Sequence, residues 1–322
     1  MSQKDPTDAA WMQQQERSNM AILKLMVWIS LTFGRRVGRI VLYGIATYFV
    51  LFSPRARRAS RDYLHLALNR WAEWSDGFRH VFSFASTIHD RIYLLNDRFD
   101  LFDIEIIGNE AVQKVAAEHP GALLIGAHLG SFEVLRAVGR GQQGLKVAMM
   151  MYEDNARKIN ATLEAINPAA TQDIIPLGRM DSMLQARDKL DAGYVVGMLA
   201  DRSLSDDATV DCEFLGKPAP FPLGPFRVAA MLRRPVFFMT GLYLGGNRYQ
   251  LHFEPLADFS QTPREERDSA IHAAMQRYAD RLTHFCHLAP YNWFNFYDFW
   301  NPQANDVAAA GLPAGHVSGE PG

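Results

Sequence analysis

The feature that most restricts the fold of this chain is a succession of short apolar runs that begins near Phe102. Segments with an apolar face or good helix propensity separate the runs, which is the pattern of alternating strands and helices. The pattern predicts an α/β fold: a mixed, largely parallel central sheet flanked by helices. Strands are predicted at 104–107, 122–127, 146–151, 174–176, 194–200, 236–243 and 249–253, and helices at 109–118, 132–138, 155–166, 182–190, 225–233 and 265–288.

Ahead of this region lies an apolar stretch, 20–52, which Lys24 and the Gly34-Arg35-Arg36 break divide. A helix that spans a bilayer needs about 20 apolar residues, and neither part clearly reaches that length. We therefore expect a helical hairpin that dips into one leaflet, with aromatic side chains in the interfacial zone and arginines among the headgroups. A helix pair buried in a soluble core and a single tilted transmembrane pass are the alternatives.

Length and composition indicate one main domain with an added N-terminal element, since the 322 residues are 48% hydrophobic. We expect a polar segment at 1–19, a hydrophobic helical membrane-associating element at 20–60, a catalytic α/β domain at 61–302 and a flexible tail at 303–322. Within 57–95 the pattern predicts further helices.

Net charge and cysteine content limit the classes of binding partner and the cellular compartment that we expect for this chain. The net charge of −2 argues against broad nucleic-acid binding, and the two cysteines are far apart, which favours a reducing compartment on the cytoplasmic side. Positive charge is concentrated near the N-terminus, at Arg35, Arg36, Arg39, Arg55, Arg57, Arg58 and Arg61.

The strongest candidate site is the segment 126–133, Gly-Ala-His-Leu-Gly-Ser-Phe-Glu, where a predicted strand gives way to a helix. Catalytic groups in open α/β sheets gather at the carboxyl ends of strands. Ser131 is a plausible helix cap, and Glu133 in the first helical turn is expected to fold back and orient the His128 ring. The pair then predicts a general base that activates a hydroxyl.

Other interpretations of these residues remain open. A histidine beside a capping acid can be purely structural. Ser131 lacks the Gly-x-Ser-x-Gly elbow of an acyl-serine enzyme, and the His-Glu spacing does not match a zinc-binding His-Glu-x-x-His helix. The methionines at 149–151 are most simply part of a buried strand, and the Gly- and Pro-rich segment 214–225 is either a loop over a groove or a turn-rich connection packed on the core.

The chain resembles the bacterial lipid A biosynthesis late acyltransferases, a branch of the lysophospholipid acyltransferase superfamily. His128-x4-Glu133 is similar to their His-x4-Asp/Glu motif. The similarity extends over roughly 20–300, through Leu-Gly-Arg-Met-Asp at 177–181, Leu-Ala-Asp-Arg at 199–202, the segment 213–225 and Tyr-Asn-Trp-Phe-Asn-Phe-Tyr at 291–297. One departure is Tyr152-Glu153, where many such enzymes have Tyr-Arg.

The resemblance implies an enzyme of the inner membrane, on its cytoplasmic face, that takes an acyl group from an acyl carrier protein thioester without a metal or redox cofactor. The acceptor would be a hydroxyl of a glycolipid or lysolipid, either lipid A itself or another glycolipid or polyene-type lipid. It implies His128 as base and Glu133 as its partner. Substrate-binding roles would fall to Arg179, Asp201 and Arg202, and to Arg157 in place of the missing arginine.

Two other functions fit the same residues. A hydrolase could use the pair to pass the acyl group to water, and a noncatalytic membrane scaffold for lipid assembly would not use it at all.

Overall fold

The computed structural model describes residues 6–118, 121–134, 146–152, 162, 166–167, 173–177, 181–202 and 208–301. The predicted tail at 303–322, the predicted helix at 155–166 except for a few residues, and most of that at 132–138 lie outside these ranges.

Three helices form the N-terminal part: α1 at Pro6–Phe52, α2 at Pro54–Ala67 and α3 at Trp74–Leu95. The predicted interruption is present, because Gly34 has φ 81° and ψ 168° within α1. The chain then turns by 95° between Met26–Phe52 and Pro54–Ala67. In the described part of the chain no helix is by itself long and apolar enough to cross a membrane, although this bent pair together meets that criterion of length and composition.

A buried ion pair fastens α1 to the rest of the protein. Nε and Nη2 of Arg35 donate to the two carboxylate oxygens of Asp90 on α3, each at a distance of 2.7 Å. The hydroxyl of Tyr249 donates to the same carboxylate over 2.8 Å. Close by, a Cβ on Gly38 would overlap the ring of His89, so only glycine lets α1 approach α3 this closely. The expectation that Arg35 lies among lipid headgroups is therefore wrong: its guanidinium is largely buried in the protein.

The second half of α1 has two apolar faces. One face is buried and includes Leu42, Ala46 and Val50. The other is exposed and includes Val37, Ile40, Ile45, Tyr48, Leu51 and Phe52; Trp28 and Leu31, which precede the break at Gly34, are exposed as well. An apolar face this large and this exposed is unusual for a protein surface in water and marks an interaction surface.

The α/β fold class is confirmed. The seven-stranded sheet contains β1 (Asp103–Ile107), β2 (Ala122–Gly130), β3 (Val147–Tyr152), β4 (Asp173–Leu177), β5 (Val195–Leu199), β8 (Pro235–Tyr243) and β9 (Arg248–Asp258). Its order is β1-β9-β8-β2-β5-β3-β4, and all neighbours are parallel except β8 and β9. The further helices are α4 (Asn109–Glu118), α5 (Ser182–Asp191), α6 (Gly224–Leu232) and α7 (Arg267–Leu288). Each of these strands and helices corresponds to one predicted from the sequence.

The Gly- and Pro-rich segment forms an antiparallel hairpin that the sequence did not predict, β6 at Thr209–Phe214 and β7 at Lys217–Pro222. Proline is normally a signal against a strand because it lacks an N–H. In β7 the prolines occupy alternate positions, 218, 220 and 222. Since successive residues of a strand point their N–H groups to opposite sides, an edge strand tolerates this spacing. Phe214 and Phe221 are fully buried, so the hairpin packs on the core.

After α7 the chain crosses back to the carboxyl end of β2. The backbone N–H of Gly130 donates to the carbonyl of Asn292 over 2.8 Å, and that of Phe294 donates to the carbonyl of His128 over 2.7 Å. We call residues 289–297 the C-terminal strap. It holds the end of β2 from the side that the sheet leaves open.

We predict that Asp90→Ala lowers the free energy of unfolding by about 3–5 kcal/mol, since it leaves a buried guanidinium without its partner. Urea unfolding in detergent measures the change. Asp62→Ala removes an exposed carboxylate from the neighbouring helix and serves as the control, with an expected change within about 0.5 kcal/mol. Equal effects of the two substitutions would show that the Arg35–Asp90 pair does not hold α1.

Candidate active site

The register of two neighbouring strands brings His128 and Asp201 together. β2 and β5 are parallel, with Gly126 opposite Leu199. His128 and Asp201 each follow that pair by two residues, so both lie at the carboxyl edge of the sheet. This is the edge where open α/β sheets place their ligands and catalytic groups.

The Asp201 carboxylate is fully buried and binds several donors. One oxygen accepts from Nδ1 of His128 over 2.8 Å. The other carboxylate oxygen accepts from the backbone N–H of His128 and from the indole Nε1 of Trp293, each at a distance of 2.9 Å. Because an ionised carboxylate only accepts, Nδ1 carries the proton, and Nε2 of the neutral ring is left to act as the base.

Asp201 stays ionised although it is buried. Burial alone would raise the pKa of its carboxyl, but the His128 imidazole, through charge and hydrogen bonding, and the Arg202 charge outweigh it and lower that pKa to about 2. The charge is thus retained where a carboxylate can hold an imidazolium that forms during reaction.

The strap and a close backbone approach fix the loop that carries His128. Gly130 has φ 75°, and a Cβ at this position would overlap the carbonyl of Gly241 on β8. Asn292 and Trp293 of the strap pair with the other side of the loop. The hydroxyl of Ser131, expected to cap the next helix, is buried and has no hydrogen-bond partner among the residues that the structure describes.

Among the described residues, no hydrogen bond or ion pair joins Glu133 to the imidazole. Its carboxylate lies 2.8 Å from Nε of Arg91 on α3, with which it forms an ion pair. In the part of the chain that the structure describes, the side chain of His128 hydrogen-bonds with Asp201 alone. The expected role of Glu133 as the residue that orients the ring therefore stays a prediction, while Asp201, expected at the substrate-binding rim, is hydrogen-bonded to the ring in this structure.

A cavity of about 450 Å³ opens beside His128, whose side chain is 31% exposed. Its charged and polar lining comes from Thr87, Arg91, His128, Ser131, Glu133, Arg202 and Tyr297. The rest is mostly apolar and is contributed by Phe84, Ile88, Ala127, Phe132, Met149, Met151, Leu199, Phe294 and Phe296. Met149 and Met151 thus line the site, contrary to the expectation from sequence. We call this cavity the catalytic cleft.

Arg202 lies at the rim of the cleft. Its Nε donates to Oδ1 of Asn295 and its Nη2 to the carbonyl of Phe294, each over 2.9 Å. The guanidinium is thus braced by the strap while remaining exposed. Arg157 and Arg179, the other two predicted substrate-binding residues, lie outside the described residues.

Sequence reasoning missed three contributors to the site: Arg91, Trp293 and Asn295. Trp293 and Asn295 had a signal, because two asparagines, at 292 and 295, interrupt an otherwise aromatic run in the strap. Arg91 had none, since its role depends on how α3 packs across the sheet.

The site combines a buried carboxylate, an imidazole with one nitrogen available as a base, and an apolar cleft large enough for part of a lipid. The family model described as bacterial lipid A biosynthesis acyltransferase matches residues 25–301. The chain therefore belongs to this family, and its class of activity is acyl transfer. A comparison with curated proteins gives no match.

The lowered pKa of Asp201 makes a pH-dependent contribution to stability. A carboxyl with an unfolded pKa near 3.8 and a folded pKa of about 2 stabilises the fold above pH 3.8. That contribution is lost as the pH falls toward 2. We predict that the difference in unfolding free energy between wild type and Asp201→Asn shrinks across this interval. Urea titrations at a series of pH values measure it; a constant difference would contradict the ionised state of Asp201.

Proposed function

We propose that the protein transfers a fatty acyl group from an acyl carrier protein thioester to a hydroxyl of a glycolipid or lysolipid acceptor. The reaction takes place on the cytoplasmic face of the inner membrane. The observation that carries the proposal is the His128–Asp201 pair, with the imidazole open to the catalytic cleft and the carboxylate buried behind it.

In the proposed reaction Nε2 of His128 removes the proton from the acceptor hydroxyl as its oxygen attacks the thioester carbonyl. Asp201 stabilises the imidazolium that forms. The tetrahedral intermediate then collapses, the carbon–sulfur bond breaks, and the carrier thiolate takes the proton from His128. The products are an ester and the free carrier thiol, and the base returns to its starting state.

The lining of the catalytic cleft supports this chemistry in two ways. Its apolar side chains suit an acyl chain and exclude the water that would hydrolyse the thioester. Arg202, held at the rim, offers a fixed positive charge to the thioester oxygen or to a phosphate of the acceptor. For Arg179 and Arg157 the same kind of role remains a prediction.

Glu133 has a supporting role in this proposal. Its ion pair holds the guanidinium of Arg91 in the wall of the catalytic cleft. The two residues position substrate relative to His128, and they do not take part in the proton transfer.

We predict that His128→Ala lowers turnover by at least about a hundredfold without unfolding the chain, because it removes the base. Asp201→Asn produces a comparable loss, and Glu133→Gln a large but less complete one. His272→Ala, an exposed histidine on α7, is the control. The assay supplies purified protein with labelled acyl carrier protein and a panel of glycolipid and lysolipid hydroxyl acceptors, and product mass identifies both substrates.

The same assay separates the alternatives. Labelled fatty acid released without a lipid ester would identify a hydrolase. Normal ester formation by folded His128→Ala would leave a scaffold as the function of this chain and defeat the mechanism.

The exposed apolar face of α1 is the surface that we propose to lie in the membrane. Members of the family are membrane-associated. A face of leucine, isoleucine and aromatic side chains matches the acyl and interfacial zones of one leaflet.

We predict that Ile40→Asp lowers the fraction of protein that sediments with membranes, since it places a charge in the centre of this face. Ile40 is 70% exposed, and the matched control is Leu184→Asp on α5, at 63% exposure. Sedimentation of the two variants with vesicles measures the effect. Equal membrane fractions would exclude α1 as the membrane-contacting surface.

A further inference from the structure

A second cavity, of about 300 Å³, lies at the corner between α1 and α2. Its lining is contributed by the end of α1, the start of α2 and the start of α3: Val50, Arg57, Arg58, Arg61, Ala72, Glu73, Trp74 and Gly77. None of these residues belongs to the catalytic cleft. We call it the arginine cavity.

Three arginines and one carboxylate give the arginine cavity a positive charge. Arg57 is fixed in place: it donates to the carbonyl of Val50 over 2.8 Å and lies over the ring of Trp74, 5.0 Å from its centre. Arg61 is exposed, and its Nε lies 3.7 Å from Oδ1 of Asp62, which is exposed as well. The carboxylate, Glu73, accepts a hydrogen bond from Ser75.

Arg57 compensates the C-terminal end of α1 through the carbonyl of Val50, whereas the N-terminal end of α2 adds positive charge to the cavity. The N-terminal end of a helix carries partial positive charge and normally attracts acidic side chains. The first turn of α2 has no acidic residue, and Arg57 and Arg58 lie close to it. A phosphate in the cavity would compensate both the guanidinium groups and the end of the helix.

Apolar side chains surround the cavity on the surface. Leu51 and Phe52 continue the exposed face of α1 to its edge, and Trp71 and Trp74 are exposed beside it. Tryptophan is enriched at the level of lipid headgroups, where one part of the ring is apolar and another meets water. The arginines thus lie beside an exposed apolar surface, as the charged headgroup of a phospholipid lies beside its acyl chains.

The arginine cavity and the catalytic cleft open on the same side of α3. Gly77 lines the first, and Phe84 and Ile88, about two and about three turns further along α3, line the second. These spacings put all three residues on one face of the helix. From Gly77 to Ile88 the rise of an α-helix gives a separation of about 16 Å.

We propose that the arginine cavity binds the phosphate of an anionic phospholipid headgroup and so turns the catalytic cleft toward the bilayer. The inference rests on the membrane placement proposed above, and it is independent of the chemistry at His128. An acidic protein partner fits the charges but not the apolar surroundings, because exposed tryptophan and phenylalanine beside the arginines match acyl chains better than a carboxylate-rich protein surface.

The test measures binding of the full chain to vesicles of phosphatidylcholine alone and of phosphatidylcholine with phosphatidylglycerol. Wild type is expected to prefer the anionic vesicles. The double variant Arg58→Gln/Arg61→Gln should lower binding to anionic vesicles by roughly thirtyfold, the effect of two arginines close to a charged surface, and leave binding to phosphatidylcholine unchanged. The control, Arg187→Gln/Arg264→Gln, removes two exposed arginines elsewhere and should change little.

A second variant tests whether phospholipid binding needs the shape of the arginine cavity or only the positive charge of the surface. Gly77→Phe keeps every charge but fills the cavity, and a side chain at this position has open space at its Cβ. It should also lower the preference for phosphatidylglycerol. Full preference in Gly77→Phe, or an equal loss in the control, would overturn the proposal.

Three further results distinguish the phospholipid from other ligands of the cavity and from a failure of the catalytic mechanism. Release of wild type from anionic vesicles by inorganic phosphate, but not by chloride at equal ionic strength, would reassign the cavity to free phosphate. An unchanged lipid preference of Arg58→Gln/Arg61→Gln, with a raised KM for the acyl carrier thioester, would reassign it to the carrier protein. Normal vesicle binding by His128→Ala is expected, so failure of the catalytic mechanism and failure of this proposal are distinguishable.

Discussion

The buried carboxylate of Asp201 is the group on which the arrangement of the site depends. It joins three parts of the chain that are distant in sequence: the end of β2 through His128, the end of β5 on which it lies, and the strap through Trp293. A charge without partners at this depth would be costly. The cost is offset because each oxygen has its own donors, so the same hydrogen bonds that make the charge tolerable also fix the tautomer of the base.

Much of the fold could be predicted from the sequence, because strand and helix periodicities are local. The position of His128 at a strand end followed from one such strand and the general geometry of open sheets. Its partner did not, because Asp201 reaches it only through the register between β2 and β5, which no single segment encodes. The expected role of Glu133 rested on its closeness in sequence. Packing of α3 brought Arg91 to it instead. Proline content argued against a strand at β7, which forms because it pairs with β6.

The N-terminal helix reconciles two properties that the sequence suggested as alternatives. Its inner face and Arg35 are packed as in a soluble core, whereas its outer face is apolar and exposed. The element is therefore packed as part of the domain while it also presents the face that we propose to lie in the membrane. The Arg35–Asp90 pair connects α1 to α3, the helix that also contributes Arg91 to the catalytic cleft.

The strap has a consequence for biosynthesis. Ribosomes deliver a chain from its N-terminus, and domains assemble in that order. Residues 292–295 therefore leave the ribosome after α1 and after every strand of the sheet. Until those residues arrive, the carboxylate behind the imidazole lacks the indole donor, and the loop at 128–130 lacks its backbone partners. The arrangement around His128 is therefore completed by one of the last segments of the described chain to be synthesised.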